Sequence, residues 1–407
     1  MQCCKKYFGI CALLILASCS DNRDTRVDAV LSIAEELGLS AESISENDTE
    51  SSIFITRIEV DVDPALIKNV RFTIKKKESA VADEISAIYS SARVDNGSNI
   101  VIPVFGLYEN YTNEIEILIT FTDSSSSELS LNVDTPPYDD PQFINSNMII
   151  ERSPSQDSKP SFSFFLLKPN TSNIDVGNEN SFGGVIMDID GNIRWVRNIP
   201  AEGDPFNRIS RATAFINEKI IAMTIRTGQP NIVAFDLSGS KEVIPISNTS
   251  YALDDEFWPH HDIRLGKDGI FIEVNVTDES LGIITGQVLI EVNDTGEVVK
   301  EFDFGDILAN YMLANGDDPS EFNRRPVNWF HSNSSIYDPV DNSIITSSRE
   351  NFIMKIGYDD KEIKWLFGDP NKYWFVNFPS LRSLALTTDS DYPIGQHALS
   401  LDGESLM

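Results

Sequence analysis

The stretch HSNSSIYDPVDNSIITSSR, His331 to Arg349, holds two apolar or hydroxyl-rich runs on either side of the cluster Asp338-Pro339-Val340-Asp341-Asn342. Proline, aspartate and asparagine between such runs mark a tight turn, so the stretch reads as a β-hairpin. Shorter relatives of it begin at His261 (HDIRLGKDGIFIEV) and at His397 (HALSLDGESLM). A second kind of hairpin falls between them, an apolar strand, a polar turn and another apolar strand. It occurs as GGVIMDIDGNIRWV from Gly183, NIVAFDLSGSKEVI from Asn231, VLIEVNDTGEVVKEF from Val288 and FIMKIGYDDKEIKWLF from Phe352. Alternating hairpins of two kinds make four-stranded units, and their recurrence predicts a β-propeller. The histidines that open the first kind lie 70 and 66 residues apart, so insertions separate the units. Two of these, around Leu308 to Pro326 and Tyr373 to Tyr392, are expected to be loops on one rim, where binding sites are commonly built.

Upstream the pattern changes. From about Ser52 to Asp134 apolar residues alternate with polar ones: Ile58, Val60 and Val62; Ile115, Ile117, Ile119 and Phe121; Leu129, Leu131 and Val133. Alternation of period two marks strands with one buried face, and several in succession predict a small β-sandwich over residues 52–134. Pro136, Pro137 and Pro141 then separate it from a propeller domain over residues 135–407. The expected fold class is therefore all-β.

The chain opens MQCCKKYFGICALLILASCSDN, with Lys5 and Lys6 ahead of the apolar run Tyr7 to Leu16. A charged start and a run too short to span a bilayer describe an export signal. Leu16, Ala17, Ser18 and Cys19 resemble the lipobox of bacterial lipoproteins, which implies removal of residues 1–18 and lipidation of Cys19. Cys3, Cys4 and Cys11 would go with the signal, leaving no pair for a disulfide. Residues 19–51 are acidic and read as a tether with one short helical pattern, Val27, Val30, Leu31, Ala34 and Leu37, closed by Gly38. The expected location is the periplasmic face of a bacterial membrane. With 407 residues, 41% of them hydrophobic, and a net charge of −31, the chain has material for a large core but no basic surface for nucleic acid.

There are four histidines in the chain. His331 and Arg349 each stand nine residues from Val340, so a hairpin centred there pairs them across the strands, with Asn333 two residues along on the face of His331. A bulge at the turn would shift this by one residue. His261, His331 and His397 occupy matched positions in their repeats, and matched positions in a propeller point toward one axis. His260 adjoins His261. One histidine is usually a structural group; three at matched positions, with an arginine opposite one, point to a site. No G-x-S-x-G nucleophile elbow and no phosphate-cradling glycine loop occurs. Zinc ligand spacings are missing, and Arg349 would repel a cation, so no metal and no cofactor is expected. MDIDGN, Met187 to Asn192, has the look of part of a calcium loop but reads as a turn. Several imidazoles with a guanidinium suit transfer of a compact anion: a neutral imidazole can hold the group covalently while the others stabilise charge on its oxygens. Phosphoryl and sulfuryl groups both meet that description.

The stretch NWFHSNSSIYDPVDNSIITSSRENFIMKIGYDDKEIKWLFGDP from Asn328 resembles the bacterial aryl sulfotransferases that work without a nucleotide sulfate donor. HHDIRLGKDG from His260 and GQHALSLDG from Gly395 resemble two further motifs of that family. The resemblance runs from about Ser52 to the C-terminus and implies an N-terminal β-sandwich followed by a six-bladed propeller. It also implies a ping-pong reaction, in which a phenolic sulfate ester passes its sulfuryl group to a histidine and a phenol takes it away. By motif, His397 is the nucleophile; His331, Asn333, Arg349 and His261 surround the sulfuryl and phenolic oxygens; His260 lies behind them. Trp329, Phe330 and Trp258 are candidates for an aromatic slot, with core packing the simpler role for each. Family members continue beyond LDGESLM, so the propeller is expected to be incomplete at its C-terminal end. The competing expectation is a propeller lipoprotein that binds a ligand or partner without chemistry. A quinone-cofactor propeller dehydrogenase fits less well, because its repeated tryptophan docking motifs are not evident.

Overall fold

A computed structural model describes residues 32–44, 52–139, 162–167, 185–196, 209–224, 229–253, 257–278, 282–323, 327–402 and 405–406. The signal segment and Cys19 lie outside them.

Residues 52–139, joined by the strand Ala41–Ile44, fold as two facing antiparallel sheets. One has the order Ala41–Ile44, Ile55–Val60, Ile100–Phe105; the other runs Ile85–Ser90, Ile67–Ile74, Tyr111–Phe121, Ser126–Thr135. The period-two pattern explains the packing. Val70, Phe72 and Ile74 pair across the strands with Ile119, Ile117 and Ile115, and all six point inward onto Ile58, Val60, Ile102 and Val104 of the other sheet. Burying each such side chain contributes about 1.5–3 kcal/mol. Ser32 and Glu35 form a reciprocal cap on a one-turn helix, Ile33–Glu36, whose Ile33 and Ala34 rest on this core together with Leu37. Ala41–Ile44 then pairs with Ile55–Val60. Part of the segment expected as a tether is thus docked as an edge strand, because its few apolar residues find a sheet edge to cover.

The remaining strands run as antiparallel meanders in sequence order. Three are complete: Ile209–Ile216 to Lys241–Pro245, Trp258–Leu265 to Val298–Asp303, and Ser332–Asp338 to Ile363–Phe367, each of four strands. A three-stranded sheet, Phe164–Leu167 with Val185–Asp188 and Ile193–Val196, precedes them, and the short pair Leu401–Asp402 and Ser405–Leu406 follows. In each complete meander the first strand packs beside the first strand of its neighbour, as the inner strands of propeller blades do. The His261 and His331 hairpins supply first and second strands; the hairpins from Asn231, Val288 and Phe352 supply third and fourth. MDIDGN is a turn, with Asp188 Oδ1 accepting from the backbone N–H of Asp190 and Asn192.

The two insertions differ from the expected loops. Phe304–Ala314 is a helix capped by Asp303, which accepts from Asp306 N, and its Phe304, Leu308 and Met312 are fully buried. Two shorter helices, Tyr373–Asn377 and Pro379–Arg382, bring in Trp374 and Leu381. These residues join Phe322, Trp329, Phe330, Phe352 and Phe378 in one hydrophobic cluster rich in aromatic rings. Trp329 and Phe330 are accordingly core residues, 4% and 0% exposed, and line no slot.

Candidate active site

The site begins with irregularities in the ladders. In the His331 hairpin Asp338 pairs with Ser343, Ser335 with Thr346 and Ser334 with Ser347, but Ser332 pairs with Ser348. Asn333 is the extra residue. In the preceding meander Pro259 pairs with Val274 and Ile263 with Ile272, so His260, His261 and Asp262 together face the single residue Glu273. Bulges of this kind bend a strand and re-aim its side chains. His331 and Ala398 both adopt left-handed backbone, with φ of 50° and 52°. For residues with a Cβ such a conformation costs of order 1–3 kcal/mol and persists only where the surroundings impose it.

The outcome is a cluster of all four imidazoles. Ring centroids are 4.3 Å apart for His260 and His261, 4.5 Å for His260 and His331, 5.1 Å for His261 and His331, and 5.8 Å for His261 and His397. His261 Nε2 lies 3.1 Å from His331 Nε2. Two rings have their protons assigned by backbone carbonyls, which can only accept: His260 Nδ1 is 2.6 Å from Ser332 O, and His397 Nδ1 is 2.6 Å from Gly395 O. Both rings therefore carry hydrogen on Nδ1, so that in the neutral tautomer the lone pair is on Nε2. Arg349 stands opposite His331, its backbone N–H donating to His331 O at 3.2 Å, and its Nε donates to Glu350 at 2.7 Å.

A buried polar frame holds the cluster. Leu399 N donates to Ser334 Oγ at 3.1 Å, and Ser334 Oγ donates to Asp262 Oδ2 at 2.9 Å, linking the segments that carry His397, His331 and His261. Asn333, 3% exposed, donates from Nδ2 to Gln396 O at 2.9 Å, and the Gln396 amide donates to Ser348 O. Asn333 thus sits beside the residue preceding His397, tying that segment to its own strand. Beneath, Glu273 accepts from Ser332 Oγ at 2.6 Å and Ser335 Oγ at 2.8 Å.

Burial and mutual repulsion favour the neutral form of His260, His261 and His331. Burial, then the Arg349 charge, then His261 bring His331 down to about 4. Burial, then His261 and His331, bring His260 down to about 3. His261 is lowered by burial, His397 and Arg349. Burial pushes Glu273 up to about 8 against the pull of its two serine donors. A set of neutral imidazoles beside a guanidinium offers a nucleophile, a proton donor or acceptor, and an anion clamp. His260, His261 and His331 offer ring nitrogens within 4.8 Å of one another, a spacing within reach of a metal ion. The 3.1 Å contact between His261 and His331 is itself a hydrogen bond, however, and the proton in it occupies a position that a metal would need.

Two family models match the chain: Arylsulfotransferase (ASST) over residues 151–405, and the arylsulfotransferase Ig-like domain over residues 58–136. The chain belongs to the arylsulfotransferase family. The arylsulfate sulfotransferase AssT of Escherichia coli O6:H1 is 51% identical over 47 residues, 12% of this chain and 8% of that protein's length. Among solved structures, Saccharomyces cerevisiae Sqt1 is 8% identical, with a TM-score of 0.28 over 76% of this chain and 69% of its own. A DUF4784 family protein from Bacteroides caccae is 10% identical, with a TM-score of 0.25 over 76% of this chain and 66% of its own.

Of the residues expected at the site, His260, His261, His331, Asn333, Arg349 and His397 come together; Cys19, expected from the lipobox, lies outside the described residues. His260, expected behind the others, packs edge-on against both His261 and His331. Sequence reasoning passed over Glu273, Asn328 and Gly286. Glu273 had a signal: in IFIEVNV, Ile270 to Val276, it is the one charged residue of an otherwise apolar or amide strand.

Proposed function

We propose that this arylsulfotransferase moves a sulfuryl group from a phenolic sulfate ester to a phenol through a sulfohistidine at His397, with no cofactor and no nucleotide donor. The observation that carries the reading is the convergence of four imidazoles and Arg349, with His397 Nδ1 tied to Gly395 O so that its Nε2 lone pair is free. In the first half-reaction His397 Nε2 attacks sulfur and the S–O bond to the aryl group breaks. The departing phenoxide accepts a hydrogen bond from a neighbouring imidazole N–H and takes its proton from solvent, and Arg349 balances charge on the sulfuryl oxygens. In the second, an acceptor phenol gives its proton to a neighbouring imidazole lone pair, which passes it to solvent; the phenol oxygen attacks sulfur and the N–S bond breaks. A phenoxide leaves far more readily than an alkoxide, which favours aryl esters. Asn333 holds the segment of His397, and His261 and His260 complete the wall of the pocket. The reading includes export as a lipoprotein held by lipid at Cys19, with the sandwich at residues 52–134 and the propeller at 135–407.

The test is intact mass spectrometry of the chain from Ser20 after exposure to a chromogenic phenyl sulfate without acceptor, beside His397→Ala. One sulfuryl adduct, mapped to His397 and discharged by added phenol, is the expected result. A folded chain that forms no adduct, or forms it equally in His397→Ala, overturns the mechanism.

A further inference from the structure

We propose that Asn328 is a positioning residue: held by the backbone N–H of Gly286, its side-chain amide sets the tautomers of His331 and, through it, of His261. The inference rests on the sulfuryl-transfer reading for its kinetic consequence, but not for the tautomers themselves.

Gly286 lies where the ladder between Ile270–Asp278 and Ile283–Val292 slips: Val274 pairs with Val288, yet Val276 pairs with Thr285. Residues at such a slip drop out of the regular ladder, and the Gly286 N–H donates instead to Asn328 Oδ1 at 3.2 Å. A backbone N–H can only donate, so the amide oxygen of Asn328 must be on that side. Its NH2 group is therefore the one that faces His331 Nδ1, at 3.3 Å. An amide NH2 also only donates, so His331 Nδ1 is a lone pair and the proton of the neutral ring is on Nε2. That Nε2–H points at His261 Nε2, 3.1 Å away, which must accept and so places the proton of His261 on Nδ1. One backbone hydrogen thus fixes two rings.

The neighbouring residues hold this relay in place. Trp329 Nε1 donates to Gln287 Oε1 at 2.9 Å, so the slipped strand holds residue 329 by one bond and residue 328 by the other. A Cβ at Gly286 would come within 2.8 Å of the His260 ring, so the N–H donor sits at a position only glycine can fill without moving that ring. His260 and His397 have their hydrogens on Nδ1, against backbone carbonyls. Of the four imidazoles, only His331 presents an N–H from Nε2. In the resting site that N–H is held by His261 Nε2; with a phenolic oxygen bound it is the one Nε2–H that can turn to the leaving oxygen, whereas His397 offers a lone pair.

The experiment uses the whole chain labelled with 15N-histidine, whose four rings give separable long-range 1H–15N patterns. At neutral pH the expected pattern is Nε2–H for His331 and Nδ1–H for His261. In Asn328→Asp the carboxylate accepts from Nδ1, so the His331 proton moves there; in Asn328→Ala the ring should populate both forms. Transfer from a poor leaving group such as unsubstituted phenyl sulfate should fall about 10²-fold in kcat in Asn328→Asp, as expected for loss of a hydrogen-bond donor at the leaving oxygen. Transfer from 4-nitrophenyl sulfate, whose phenoxide needs little stabilisation, should fall much less, with KM little changed for either. A merely structural loss would lower both donors alike. Wild-type protein with the His331 proton on Nδ1, or a tautomer unmoved by Asn328→Asp, overturns the inference whether or not the chain transfers sulfuryl groups. Equal losses for both donors overturn the kinetic role.

Discussion

His331 and Arg349 face each other across one hairpin, the Arg349 N–H donating to His331 O, even though the turn that joins their strands is one residue out of register with that pairing. The extra residue at Asn333 absorbs the difference. It brings the arginine level with the histidine, and it turns its own amide toward Gln396, next to His397. In Asn333→Ala the segment 395–399 should lose its tie to the His331 strand. The loss of one buried hydrogen bond is worth about 1 kcal/mol. Faster amide exchange confined to 395–399, with transfer down by roughly tenfold for each 1.4 kcal/mol lost at the transition state, is the expected outcome. Unchanged exchange there would mean that the segment is held by other bonds, such as Leu399 N to Ser334 Oγ.

The charge on Arg349 acts on the imidazoles as well as on any anion. After burial it is the next largest cause lowering His331, which titrates at about 4. Removing a cation relieves repulsion against the imidazolium, so Arg349→Gln should raise the His331 midpoint toward the ordinary value of about 6.5. The shift should be partial, since burial remains. A 15N-histidine titration reads it directly, and a midpoint that stays or falls would show that the guanidinium does not reach the ring.

How much of this was legible beforehand depended on whether a residue's partner lies nearby in sequence. The pairing of His331 with Arg349 could be read because both flank one turn, and the gathering of His261, His331 and His397 because their repeats match. The bulges could not. Whether Asn333 or His260–Asp262 is accommodated as extra residues is decided by the partner strand and by the bonds to Gln396, Ser332 and Ser334, which are made by distant segments. Asn328 was quoted within a motif, but its role depends on a backbone N–H 42 residues away. The helix Phe304–Ala314 was readable in principle, with apolar residues at 304, 307, 308, 311 and 312 and Asp303 before them. Its position inside a run of strand-forming repeats hides that signal, because the surrounding period of two makes any interruption read as a loop.

Glu273 couples the frame beneath the site to pH. Its carboxyl is raised to about 8 when folded, against about 4.5 for an unburied glutamate. The folded chain therefore holds a proton that the unfolded chain has released anywhere between those values. Stability from this group is fully present below about 4.5 and is lost as pH rises toward 8. In Glu273→Gln the amide oxygen can still accept from Ser332 and Ser335, and nothing titrates. Urea denaturation at several pH values between 5 and 8 should show wild type losing stability with a slope steeper by up to one proton than the variant. Parallel slopes would mean that the carboxyl is already ionised at pH 5.

A second buried charge, Arg194, ties the sheet before the meanders to the sandwich. Its side chain is 1% exposed, donates to Asp188 Oδ2 at 3.1 Å and to Gly106 O at 2.9 Å, and lies with its guanidinium carbon 3.6 Å from the centre of the Tyr108 ring. Asp188 is itself 0% exposed and also accepts from the side chain of Asn192. Taking away one member of such a pair leaves the other charge buried, a loss of about 3–5 kcal/mol. Arg194→Ala should therefore shift the urea midpoint strongly downward. Asp188→Asn, which keeps an acceptor oxygen for Asn192 and Arg194 but removes the charge, should strand the guanidinium. The double variant has no stranded charge, so it should be more stable than the sum of the two single losses implies. Strict additivity in that cycle would mean that Arg194 acts only through Gly106 and Tyr108, and that the ion pair contributes nothing to joining the two parts of the chain.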